Sequence, residues 1–182
     1  MLTTARKILQ TSEGQGLLFV SHRKADNNGG DLDFIFDMFY TFCRRWHRMN
    51  YGWKKEYDEK TTTQKEAVKC VKSGDRIYAG TASSVAYGLL DALWERKDEL
   101  EGVEIQSSQA FEPCAVYDEY EENPFSINTY FVGVNERKMY RHGKPVRYTS
   151  FHLSQAPIWA SQNAKPNVCF FEVSAPDEEG YM

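Results

Sequence analysis

Several features that announce a function class are missing from this sequence. No run of about 18 or more apolar residues occurs, so no membrane-spanning helix is expected. Residues 1–20 do not read as a signal peptide, because Gly14, Gln15 and Gly16 interrupt the apolar residues before an h-region can form. There is no basic excess either: 22 Lys and Arg stand against 26 Asp and Glu, interspersed, for a formal net charge of -4. That balance excludes a nucleic-acid footprint, while small acidic metabolites, which need only a local site, stay open. The four cysteines, Cys43, Cys70, Cys114 and Cys169, are widely spread and form no CxxC. With His22, His47, His142 and His152 also scattered, no metal site is expected; reduced, buried or half-buried thiols in a cytoplasmic protein are.

What is present suits one ordinary domain: 182 residues, 41% of them hydrophobic, can bury a self-stabilising core. No internal repeat occurs, but the chain changes character near residue 50. Residues 1–48 hold a polar loop, Arg23-Lys-Ala-Asp-Asn-Asn-Gly-Gly30, and an aromatic run, Phe34-Ile-Phe-Asp-Met-Phe-Tyr-Thr-Phe42. The run fits neither a helical stripe nor strict alternation. Arg44-Arg45 can be encoded AGG-AGG, a ribosome-binding core, three codons before Met49. Two expectations follow for this atypical extension: a translated leader ahead of a start at Met49, or a hairpin or helix packed on the domain.

From residue 50 the pattern is legible. Thr63-Gln-Lys-Glu66 is a capping box, Ala67, Val68 and Val71 share a helical face, and Gly74 suits the left-handed residue that ends the helix. Arg76–Gly80 reads as a strand, Thr81–Ser84 as a tight loop, Val85 to about Leu100 as a helix, and Val103–Gln106 as a strand. This βαβ order implies parallel pairing and a right-handed crossover. The alternation continues with strands at Thr129–Val132 and Tyr148–Leu153, a helix around Glu136–Arg141, and a helical turn from Ser154 with Pro157 in its first turn. Val168–Val173, most of it apolar on both faces, reads as a central parallel strand. The expected fold class is α/β, with a mostly parallel, doubly wound sheet.

Strand exits locate the candidate binding residues. Thr81, Ser83 and Ser84 sit between a strand end and a helix start, where ligands of open α/β sheets bind and free N–H groups suit an anion; capping of the helix by a serine is the competing reading. Ser107, Ser108 and Gln109 reach the same edge and either position an acyl or carboxylate group or form a plain exit loop. His152 reads as a hydrogen-bonded core group, and Asp118–Glu122 as a solvated loop, with Tyr117, Tyr120 and Phe125 around it as conceivable lid residues.

Three stretches resemble the acetyl-CoA hydrolase/transferase family: Glu66-Ala-Val-Lys69 with Val71-Lys-Ser-Gly-Asp-Arg-Ile-Tyr-Ala-Gly80; Asn128-Thr-Tyr-Phe-Val-Gly133 with Arg137; and Val173-Ser-Ala-Pro-Asp-Glu-Glu-Gly-Tyr-Met182. Order and spacing agree as well, so the likeness spans Trp53 to Met182, an N-terminal half of the 4-hydroxybutyrate/butyrate type. The resemblance implies a cytoplasmic enzyme of two similar α/β halves with the active site between them. It moves CoA from an acyl-CoA to a small carboxylate such as acetate, with CoA as substrate and no covalently bound cofactor. It also implies a homo-oligomer and a glutamate nucleophile in the second half, beyond Met182, so that residues 49–182 read as a truncated half and no catalytic residue is assigned in this chain. By the same resemblance the loop carrying Asp177 and Gly180 faces the inter-half cleft, although Pro-Asp-Glu-Glu-Gly also suits a plain turn. An acetyl-CoA hydrolase and a non-catalytic CoA-transferase-like domain are the alternative functions.

Overall fold

A computed structural model describes residues 5–10, 17–22 and 53–181. The loop 23–30, the aromatic run 34–42, Arg44-Arg45 and Met49 lie outside the described residues.

The first two described elements are strands Ala5–Gln10 (β1) and Leu17–His22 (β2), paired antiparallel. Helix α1 (Trp53–Lys60) and the two-residue strand β3 (Thr61–Thr62) follow. Helix α2 (Gln64–Ala67) begins at Thr63, whose side chain accepts the Glu66 N–H at 3.2 Å, and tightens into a 3₁₀ turn at Val68–Cys70. The helical segment closes at Cys70 with Val71 extended, so Gly74 does not end it as expected; it turns the chain with φ +80° into β4 (Arg76–Thr81). A 3₁₀ turn (Ala82–Ser84) leads to α3 (Tyr87–Trp94), then β5 (Glu104–Ser108), α4 (Ala115–Asp118), β6 (Ser126–Thr129), α5 (Val134–Arg141) and β7 (Val146–Tyr148). The chain returns through α6 (Ala156–Trp159) and a wider turn (Ala160–Ala164) to β8 (Val168–Val173).

One eight-stranded sheet results, in the order β3-β1-β2-β8-β4-β5-β6-β7. Its five strands β8, β4, β5, β6 and β7 are parallel, while β2 joins β8 antiparallel. The chain winds outward from β4 to β7, then jumps back to place β8 on the other side of β4. Right-handed crossovers put outward-winding helices on one face and the returning helix on the other, which is the doubly wound pattern.

The core lies on the outward-winding face. Ile77, Ile105, Ile127, Val168 and Phe170 of the strands meet Val68, Leu89, Leu90, Leu93, Val116 and Met139 of the helices. Each fully buried leucine contributes about 2 kcal/mol. Tyr117 and Phe125 belong to this core, at 0% and 1% exposure, so they are not lid residues. Glu119, Glu121 and Glu122 of the acidic loop are exposed. Among the described residues no helix is long and apolar enough to cross a membrane.

Four expectations from sequence need correction. The third parallel strand is Ser126–Thr129, not Thr129–Val132: the Thr129 side chain bonds the backbone of Phe131 on both its N–H and C=O sides, and this turn takes Phe131 out of the sheet. The fourth ends at Tyr148, because Thr149 donates to Thr129 O and to Asn128 Oδ1 and the chain then leaves the ladder. His152 is consequently exposed rather than a core group, and its backbone N–H donates to Gln155 Oε1. The helix expected from Val85 to Leu100 is confined to Tyr87–Trp94, with a separate 3₁₀ turn at Lys97–Glu99.

Candidate functional site at the carboxyl edge of the sheet

Parallel strands deliver their carboxyl ends to one edge. The winding direction reverses between β4 and β8, so the loops after these two strands flank the topological switch point, where α/β sheets hold their ligands. Thr81, Ser83 and Ser84 follow β4; Asp177 and Gly180 follow β8; Ser107, Ser108 and Gln109 end β5 next door. The fold brings the eight sequence-selected residues toward one edge, but not their functional groups.

The β4 exit is tightly built. Gly80 has φ +87°, and a Cβ there would lie 2.1 Å from Ser84 O. The Thr81 N–H donates to Ser84 Oγ at 3.2 Å, and the Ser84 hydroxyl donates back to Thr81 O at 2.8 Å. Thr81 Oγ1 shares a short hydrogen bond with the Tyr130 hydroxyl and lies 3.4 Å from that of Tyr78. Burial pushes the Tyr78 hydroxyl up, so that phenol stays protonated. Thr81 and Ser84 are therefore committed to local structure, whereas Ser83 is exposed and its hydroxyl makes no hydrogen bond among the described residues.

At the β5 exit, Ser107 points into the core and bonds the Tyr117 hydroxyl. Ser108 is buried and donates to Phe131 O at 3.3 Å. Gln109 adopts φ +55°, uncommon for a residue with a side chain, and its amide group makes no hydrogen bond among the described residues. The loop after it is pinned from two helices. Tyr87 OH accepts the N–H groups of Phe111 and Glu112 at 2.7 and 3.1 Å, and Asn135 Nδ2 donates to Glu112 O at 2.8 Å. The third pin is Glu136, a carboxyl group at 0% exposure whose Oε1 accepts the Ala110 N–H at 3.4 Å.

Glu136 is a residue that sequence reasoning passed over. Burial pushes its carboxyl above the ordinary 4.5; the N–H groups of Glu136, Ala110 and Gly133 and the charge of Arg137 pull it back only in part. The native chain thus holds this proton more tightly than the unfolded chain. The associated stability is full below about pH 4.5 and is lost as pH rises through the raised native value. Glu136→Gln keeps an oxygen for Ala110 and removes the titration. Its melting temperature is expected to fall less than that of the wild type between pH 5 and pH 7; parallel declines in thermal unfolding at the two pH values would contradict the assignment.

The β8 exit is a closed turn. Asp177 Oδ1 accepts the N–H groups of Glu179 and Tyr181 at 3.1 and 2.8 Å, and the Asp177 N–H donates to Tyr181 O. Gly180, at φ +90°, is buried against the ring of Trp53, where a Cβ would come within 2.8 Å. The edge also exposes large apolar side chains: Phe111 and Phe131 are 56% and 58% exposed on either side of Gln109.

The three family-like stretches end on these loops, and residues 43–182 match the acetyl-CoA hydrolase/transferase N-terminal domain. The chain belongs to the acetyl-CoA hydrolase/transferase family. Within this family it is 31% identical over 130 residues to the "Probable butyrate:acetyl-CoA coenzyme A-transferase" of Syntrophomonas wolfei, covering 70% of this chain and 29% of that protein. It is 30% identical over 137 residues to the butyryl-CoA:acetate CoA-transferase of Anaerostipes caccae, covering 72% and 30%. Among solved structures, RipA from Yersinia pestis superposes with a TM-score of 0.53 at 27% identity, over 58% of this chain and 27% of that one. The chain spans about 30% of the length of the curated relatives it matches. The family stretches Val71–Gly80, Asn128–Gly133 and the run from Val173 map onto β4, the end of β6 and the β8 exit. They account for the β4, β6 and β8 exits but not for the β5 exit or the pinning residues Tyr87, Asn135 and Glu136. The Gly133-x-x-Glu136 spacing at a helix start was the one sequence signal for Glu136, since a carboxylate at the third helical position reaches back over its own N-terminus.

Proposed function

We propose that this chain is the N-terminal half of a CoA-transferase that moves CoA from an acyl-CoA to a small carboxylate such as acetate. The observation that carries the reading is the convergence of the three family stretches on the loops at one sheet edge, beside the switch point. The relatives reported above are named as transferases, which favours transfer over the hydrolase alternative.

In this reading the nucleophile is a glutamate of a second α/β half. Its carboxylate attacks the thioester carbonyl, the C–S bond breaks, and CoA leaves as thiolate. The thiolate then attacks the glutamyl carbonyl of the mixed anhydride, the first acid leaves as carboxylate, and a glutamyl-CoA thioester remains. The acceptor carboxylate reverses the sequence. The present chain supplies positioning. Ser83 and Gln109 carry the uncommitted polar groups for the acyl or carboxylate end, on loops rigidified by Thr81, Ser84, Tyr87 and Glu136; Asp177 and Gly180 shape the cleft wall. Exposed Phe111 and Phe131 are the apolar surface that the second half covers. The full enzyme acts in the cytoplasm as a homo-oligomer.

The test is label exchange between butyryl-CoA and labelled acetate. The 182-residue chain alone is expected to form no labelled acetyl-CoA. Transfer by this chain, abolished by replacing one of its own glutamates, would move the nucleophile into this half. CoA release without acetate would instead identify the hydrolase.

A further inference from the structure

The second face of the sheet is unlike the first. In register across four strands lie Tyr78, Gln106, Asn128 and Arg147, and below them Arg76 pairs with Glu104. Alternation puts these side chains on the face away from the apolar core. A core face carries aliphatic residues; this one carries amides and guanidinium groups. Among the described residues the segment returning from β7 to β8 covers it, anchored by a hydrogen bond from Gln106 Nε2 to Ala164 O at 2.9 Å.

Between that segment and the strands lies a cavity of about 510 Å³, bounded by Arg76, Asn128, Arg147, Ser150, Gln155 and Trp159 among others. Its size suits a small molecule. Its hydrogen-bonding inventory is rich in donors. Asn128 Oδ1 already accepts from Thr149 at 2.9 Å, and Gln155 Oε1 accepts the His152 N–H at 3.1 Å, which leaves the NH₂ group of each as a donor. The exposed Ser150 hydroxyl makes no hydrogen bond among the described residues. Arg147 is paired with Glu104, but no carboxylate of the described residues lies within 4.0 Å of Arg76. The Arg76 Nη1 reaches only the carbonyl of Asn163, at 3.5 Å. The cavity therefore combines unspent donors with a guanidinium that holds no ion pair within 4.0 Å, and its complement is an acceptor-rich anion.

We propose that this cavity is an oxyanion site that takes the phosphate or carboxylate group of a small ligand, with Arg76 as its charged anchor. It is separate from the residues assigned to acyl-CoA, and it stands whether or not acyl-CoA binds at the carboxyl edge. It adjoins that edge through one aromatic cluster. Tyr130, which bonds Thr81, packs against Phe151 and Trp159 with ring centroids 5.3 and 5.6 Å away.

The test is calorimetric titration of the 182-residue chain with inorganic phosphate and, separately, with succinate, at low ionic strength and fixed chloride. Saturable binding of at least one probe is expected. Phosphate alone would identify a phosphate-ester ligand and succinate alone a carboxylate. Arg76→Ala is expected to weaken binding about tenfold or more, the usual loss for a charge-assisted contact. Ser150→Asp places a like charge on an exposed rim position, where the fold is unaffected, and is expected to abolish binding. Absence of saturable binding of both probes overturns the proposal. So does unchanged affinity in both variants, with their fold verified by circular dichroism.

Discussion

Gly80→Ala is expected to destabilise the chain by more than about 3 kcal/mol, the largest loss from removing or adding a single methyl-sized group anywhere along the carboxyl edge. Two costs combine. The backbone is at φ +87°, a region that an L side chain enters only with strain. The new Cβ would also lie 2.1 Å from Ser84 O, 2.7 Å from Ser84 C and 3.1 Å from Val85 Cα. These are backbone atoms and cannot rotate away, so the Thr81–Ser84 turn must move, with its two reciprocal hydrogen bonds. For a chain of this size the melting temperature should drop by about 6–12 °C. Gly74→Ala is the matched control, since Gly74 has φ +80° but nothing within 4 Å of its Cβ position. It should cost only the backbone strain, about 1 kcal/mol. Equal losses at Gly74 and Gly80 in urea unfolding would show that the close approach does not matter.

Phe170→Ala is expected to cost about 3–5 kcal/mol. Phe170 has no exposure and sits on β8, bordered by β2 on one side and β4 on the other, so the surrounding backbone is held by two ladders and cannot collapse into the void. Phe131→Ala is the contrast: the ring is 58% exposed, and its loss should stay within about 0.5 kcal/mol. A shift of the urea midpoint for Phe170→Ala no larger than that for Phe131→Ala would contradict the placement of the core.

These two positions also mark what was legible in the sequence. The Val168–Val173 strand announces itself as a mostly apolar run, broken only by Glu172, after a Pro-Asn pair, and Gly74 follows a helix start fixed by Thr63, so β4, β8 and α2 are readable locally. Thr129-Tyr-Phe-Val132 has the same β-forming composition as a strand, yet Phe131 ends outside the sheet, because strand pairing is decided by neighbours far along the chain rather than by propensity. Phe151-His-Leu153 misleads for the same reason: Leu153 is 80% exposed. At the site, the strand-exit loops were readable from their order and from the family-like stretches. The commitment of their hydroxyls was not, since Thr81 is bonded to Tyr130 and Ser107 to Tyr117 across separations that periodicity does not encode. Glu136 lies in a short polar helix in sequence, and only the fold sets its carboxyl beneath Ala110, 26 positions earlier. The polar second face is a further case. Each of its residues alternates along its own strand, but only the register of β4, β5, β6 and β7 aligns them in rows.

The most direct test of the proposed function is amide NMR of the ¹⁵N-labelled chain titrated with CoA. Shifts concentrated at Ser83, Gln109, Phe131–Gly133 and Asp177–Gly180 are predicted, with the helix-covered core unmoved. Titration that leaves these loops unchanged, or that moves only residues remote from the carboxyl edge, would contradict the account.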